Sequence, residues 1–96
     1  MFARKIYGGM HMKKWEIIHD SDTESGKPTC WALEINHEKY GKYVWITGAV
    51  ARDEETIEYY VVEVGEYYGV KLDDFKELVK CKTLTSAKRW VTRYLL

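Results

Sequence analysis

The chain has 96 residues, with fifteen Lys and Arg balanced by fifteen Asp and Glu, and it carries four tryptophans, eight tyrosines and one proline. A single domain of this size buries roughly two-thirds of its unfolded surface, and aromatics that each cover on the order of 150–250 Å² supply the core it needs, so the composition excludes a disordered chain. No apolar stretch approaches the roughly 20 residues of a membrane-spanning helix and no signal-peptide pattern is visible, so the expected location is cytoplasmic.

Residues 1–12 include Arg4 and Lys5 without an acid and are expected to form a loose basic arm on a single domain spanning 1–96. Residues 15–20 set Trp15, Ile17 and His19 against Glu16 and Ile18, which predicts a short strand. The polar run 21–28, with Gly26 and Pro28, predicts a turn. Residues 29–36 alternate again, with Trp31, Leu33 and Ile35 on one face and Cys30, Ala32 and Glu34 on the other. Residues 37–42, with Gly41, read as a hairpin loop. In 43–50, Val44 and Ile46 oppose Tyr43, Trp45 and Thr47, and 51–56 is a charged connection.

Residues 57–64 are the strongest strand signal, dense in β-branched and aromatic side chains, with Tyr60, Val62 and Val64 expected toward the core. Connections of about six to eight residues are too short for parallel crossovers, which points to an antiparallel meander. Residues 65–70 form a tyrosine turn between glycines, and 72–79 an irregular or short strand-like segment. Thr85 is a suitable N-cap for a last helix with an apolar stripe of Ala87, Trp90, Val91, Tyr94 and Leu95. The expected fold is α+β: an antiparallel meander of three to five strands packed on one C-terminal helix.

Catalytic and metal chemistry find little support. His11, His19 and His37 are scattered, and Cys30 and Cys81 have no partner at zinc spacing. Both cysteines are expected as reduced, buried thiols. The glycines at Gly8–Gly9 and at Gly65 and Gly69 lack the strand-to-helix setting of a phosphate loop. No catalytic residue, metal ligand or cofactor is assigned, and the chain is expected not to be an enzyme.

The charges, however, are sorted. Nine acids and two bases lie between Asp53 and Glu77, whereas Lys80, Lys82, Lys88, Arg89 and Arg93 follow without an acid. Segregation of this kind bears on partners rather than on fold. Glu58, Tyr59, Glu63, Glu66, Tyr67 and Asp73 form an acidic, tyrosine-rich constellation suited to a basic protein surface, with Tyr59 and Tyr67 as anchors. Asp53, Glu54 and Glu55 are expected to be a solvated loop. Lys80, Lys82, Lys88, Arg89 and Arg93 form the alternative, a set of cations able to neutralise phosphates.

The run Thr83-Leu84-Thr85-Ser86-Ala87-Lys88-Arg89-Trp90 resembles the helix start of small sheet-plus-helix proteins. These include the arm-binding domains of tyrosine integrases and short accessory proteins of phages and mobile elements, some of which inhibit CRISPR nucleases. The resemblance implies the fold. Glu58 and Glu63 depart from the basic sheet of a DNA-reading integrase domain. The expected function is therefore a non-enzymatic interaction module, such as an anti-CRISPR-like inhibitor that occupies a basic site on another protein. The alternatives are a small DNA- or RNA-binding protein and a homodimeric structural subunit.

Overall fold

The computed structural model describes residues 14–18, 21–65 and 76–96. The elements in chain order are β1 (Glu16–Ile18), β2 (Cys30–His37), β3 (Gly41–Val50), β4 (Ile57–Gly65), β5 (Lys76–Cys81) and α1 (Leu84–Leu95). The strands form one five-stranded sheet whose spatial order is the chain order, and every neighbouring pair is antiparallel. This is the α+β meander on a C-terminal helix that the alternation and loop lengths predict. The expected basic arm and most of the tyrosine turn lie outside the described residues. Among the described residues, the irregular or short strand-like segment expected at 72–79 is a short, bulged strand from Lys76 to Cys81.

Register builds the core in rows. Ile17, Trp31, Ile46, Val62 and Val79 pair in one line from β1 to β5, and Leu33, Val44 and Val64 form the next. Trp31, Leu33, Val44, Ile46, Val62 and Val64 join the helix residues Ala87, Val91 and Leu95 in one buried cluster, edged by Tyr60, Leu78, Val79, Leu84 and Trp90, while Ile17 at the sheet edge is 44 % exposed. Val44, Ile46, Val62, Ala87 and Val91 are fully buried, and each large aliphatic among them contributes about 1.5–3 kcal/mol. The helix lies across β3, β4 and β5.

The helix cap lies two residues before the expected one. Thr83, not Thr85, is the N-cap: its backbone is extended and its hydroxyl accepts the Ser86 N–H at 3.0 Å while donating to Ser86 Oγ. The earlier start seats Leu84 against the core, an anchor that a cap at Thr85 would lose. The apolar stripe is also narrower than expected. Ala87, Val91 and Leu95 point inward at intervals of four, whereas Tyr94 is 58 % exposed and rests on the Trp90 ring at 4.9 Å.

Three register irregularities adjust the sheet, the first in β2 between Glu34 and His37, where Asn36 takes a positive φ of 49°. In β4, Ala49 pairs with Tyr59 and Val50 with Ile57, so Glu58 is the extra residue. In β5, Val62 faces Val79 and Glu63 faces Glu77, so Leu78 is extra. Leu78 and Val79 both pack against the core, which brings Glu77 and Lys80 to the same opposite face. Gly48 is needed for close packing: a Cβ there would lie 2.8 Å from Ile57 Cγ2.

The acidic run at 53–55 is a solvent-exposed loop, as expected, and it is also tied down by hydrogen bonds. Asp53 accepts hydrogen bonds from the Glu55 and Thr56 amides and from the Thr56 hydroxyl. Glu55 receives the Ser25 amide and hydroxyl and pairs with Lys27 at 3.5 Å, while the Glu24 amide donates to the Glu54 carbonyl. These acids clasp the β3–β4 loop to the β1–β2 connection, a contact between residues thirty apart that local sequence does not reveal.

Candidate functional site on the sheet face opposite the helix

The same register that makes the core lines up the other face. Glu16 pairs with Ala32, Ala32 with Trp45, Trp45 with Glu63 and Glu63 with Glu77. A single row thus crosses all five strands with Trp45 at its centre and carboxylates toward both ends. Trp45 is only 7 % exposed, and its ring lies 5.5 Å from that of Tyr43. Glu34 pairs with Tyr43 beside this row, and Asn36 Nδ2 donates to the Glu34 carboxylate at 2.8 Å. Lys14, Glu16, Ala32, Glu34, Asn36 and Tyr43 line a shallow cavity of about 330 Å³.

The next row holds Cys30, Thr47, Val61 and Lys80. Thr47 is its polar hinge: the hydroxyl donates to Glu63 Oε1 at 3.2 Å and lies 3.8 Å from Cys30 Sγ. Burial pushes the Glu63 carboxyl above its ordinary range; the Thr47 hydroxyl pulls it down, and the Glu77 charge adds to the rise. Burial also raises the Cys30 thiol, against a lowering by Thr47 and with further raising by Glu63 and Asp22. Cys81 is raised by burial as well. Both cysteines are free and half-buried rather than fully buried. Raised thiols are held in the poorly nucleophilic protonated form.

The expected acidic contacts are only partly gathered here. Tyr59 and Glu63 share this face, and Lys80 Nζ sits 5.3 Å from the Tyr59 ring centre. Glu58 is exposed at the β4 bulge. Glu66, Tyr67 and Asp73 lie outside the described residues. Glu16, Glu34 and Glu77 complete the face. Strand alternation marks Glu16 and Glu34 as pointing away from the core, but only register shows that they share a face with Glu63.

The basic constellation is divided between layers. Lys80 belongs to the sheet face just described. Lys88, Arg89 and Arg93 line a groove on the outer side of α1 with Thr85 and Thr92, and Lys82 is exposed before the helix. Among the described residues the one ion pair is Lys27–Glu55, so none of these cations pairs with a described acid. A third set of cations surrounds the β2–β3 turn. There His37 Nδ1 accepts the Lys39 and Tyr40 amides, and Lys39 and Lys76 stand over the Tyr40 ring.

Among the described residues no group of three or more His, Cys, Asp and Glu is placed to hold a metal ion, and no helix is long and apolar enough to cross a membrane. Comparison with protein families, curated proteins and solved structures finds no match to this chain, so its role is read from its own residues.

Proposed function

We propose that this chain is a non-enzymatic interaction protein that presents the sheet face opposite its helix to a basic site on another protein. The observation that carries this reading is the placement of Glu16, Glu34, Glu63 and Glu77 around Trp45 and Tyr59 on one face. Paired residues on adjacent strands stand about 5 Å apart, so these carboxylates make an anionic strip over the buried Trp45, with the half-buried Tyr43 and Tyr59 beside it. Basic side chains pair with such a strip, and tyrosine is a favoured anchor at interfaces. A phage or mobile-element accessory protein that blocks the nucleic-acid site of a host nuclease is one concrete form.

The test compares affinity capture from nuclease-treated host extract by three proteins. The parent chain is expected to retain a protein partner. The Glu16→Lys/Glu34→Lys variant is expected to lose it, and Arg89→Glu/Arg93→Glu to keep it. Capture that depends on the helix arginines but not on the sheet glutamates overturns the reading.

A second reading rests on the unpaired cations of the helix side. Lys88, Arg89 and Arg93, extended by Lys82, would contact phosphates of DNA or RNA. It predicts binding of labelled duplex or single strand with a log–log salt slope of roughly −3 to −4. A flat anisotropy signal at low salt removes it.

A further inference from the structure

Among the described residues β5 ends the sheet, with no strand beyond it. The direction of its remaining backbone groups follows from register. The Gly48 N–H donates to the Thr29 carbonyl at 2.7 Å, so the helix-facing residues of β3 direct their amides and carbonyls toward β2. By alternation, Trp45 and its face direct theirs toward β4. Through the pairs Trp45–Glu63 and Val62–Val79, Val79 then points back at β4. Glu77 and Lys80 point outward, away from the sheet. In an unbulged strand, residues three apart point opposite ways; the extra residue Leu78 is what turns both outward.

We propose that β5 pairs with β5 of a second copy of this chain, antiparallel about a two-fold axis between Leu78 and Val79. In that register Glu77 of each copy lies opposite Lys80 of the other, and Lys76 opposite Cys81. The four outward amides and carbonyls on each side meet as hydrogen-bonded pairs, and the two sheets continue as one. Lysine on an exposed edge ordinarily discourages pairing, but a lysine directly opposite a glutamate supports it. The sequence Lys76-Glu77-Leu78-Val79-Lys80-Cys81 is self-complementary in charge when antiparallel. Each Lys80 would leave the Tyr59 ring of its own copy, 5.3 Å away. It would bring a cation beside the like-charged pair Glu63–Glu77 of the other copy. A second copy is thus the occupant that this edge fits; it would take up Glu77 and leave Glu16 and Glu34 on the far strands for a basic partner.

Sedimentation velocity of the full chain, over on the order of a hundredfold range of concentration, reads the proposal by mass action. The parent chain is expected to pass from monomer to dimer. Glu77→Lys alone and Lys80→Glu alone are expected to remain monomeric, and the combined exchange to dimerise again. Glu77→Lys also removes the like-charge contact with Glu63, so its thermal melt is expected to hold and to separate lost pairing from lost folding. A second measurement traps the register: Lys76→Cys, with native Cys81, is expected to give a covalent dimer under diamide, and K76C/C81A, which keeps Cys30, is not. A monomer at every concentration, or a dimer unaffected by either charge reversal, overturns the proposal. So does failure of the Lys76→Cys trap.

Discussion

One methyl group decides the packing at Gly48. Its Cβ position lies 2.8 Å from the Cγ2 branch of Ile57, and a β-branched side chain has little rotamer freedom with which to retreat. Gly48→Ala is therefore expected to cost about 1–3 kcal/mol by overpacking. In Ile57→Ala the same substitution should cost much less, a coupling that a double-mutant cycle by urea denaturation measures.

Glu63 sets a pH dependence of opposite sign to the usual carboxylate. Its folded carboxyl is raised, so the folded state holds the proton more tightly than the unfolded state does. Stability from this group is greatest below the ordinary glutamate range and falls as pH rises through the raised value. Glu63→Gln is expected to flatten that fall and raise the melting temperature at neutral pH. Asp53 acts the other way. Its hydrogen bonds from Thr56 and Glu55 hold it at about 2, so its contribution is present above the ordinary aspartate range and is lost only as pH falls toward that value. Melts from acid to neutral pH separate the two limbs; a Glu63→Gln profile that tracks the parent would refute the first.

Among the elements, the helix cap gives the sharpest contrast. Thr83→Ala removes the acceptor for the Ser86 amide and is expected to cost about 1 kcal/mol. Thr85→Ala, at an exposed position inside the first turn, should leave stability within about 0.5 kcal/mol of the parent. Thermal or urea denaturation of the two variants checks the assignment. The alternation of residues 29–36 and 43–50 made both strand faces legible in the sequence, and loop lengths made the meander legible. The cap was not legible, because Thr83 and Thr85 are equally good local signals. The choice between them depends on whether Leu84 reaches the sheet. The bulges at Glu58 and Leu78 were hidden for a similar reason: a bulge is a property of a strand pair. Tyr59 and Glu63 were found through the charge pattern, whereas Glu77 became part of the site only once Leu78 shifted its face.

Among the described residues, charge sorted along the chain becomes charge sorted mainly between layers, with Lys80 left on the sheet face. Carboxylates gather on the sheet face, and Lys88, Arg89 and Arg93 stand on the outer side of the helix, with the apolar core between. The separation costs the fold little, because exposed cations without ion pairs carry little stability. Arg89→Glu/Arg93→Glu is accordingly expected to shift unfolding by no more than about 1 kcal/mol, whereas Ile46→Ala, at a fully buried position, should cost about 2–5 kcal/mol. Chemical denaturation of both variants tests whether the basic side is free to serve binding.

The identity of spatial and chain order in the sheet also governs how the molecule is assembled in time. Each strand finds its partner in the strand just before it, so loop-closure entropy stays small at every hairpin. The central hairpins β2–β3 and β3–β4 are therefore expected to form the folding nucleus, with α1 docking afterwards. Truncations at Ile46 and Val62 should slow folding, while Val91→Ala should mainly speed unfolding. High φ-values at Val91 with low ones at Ile46 would reverse that order. The clasp between Ser25 and Glu55 joins residues thirty apart, a longer closure than either central hairpin, and its formation is expected to follow theirs.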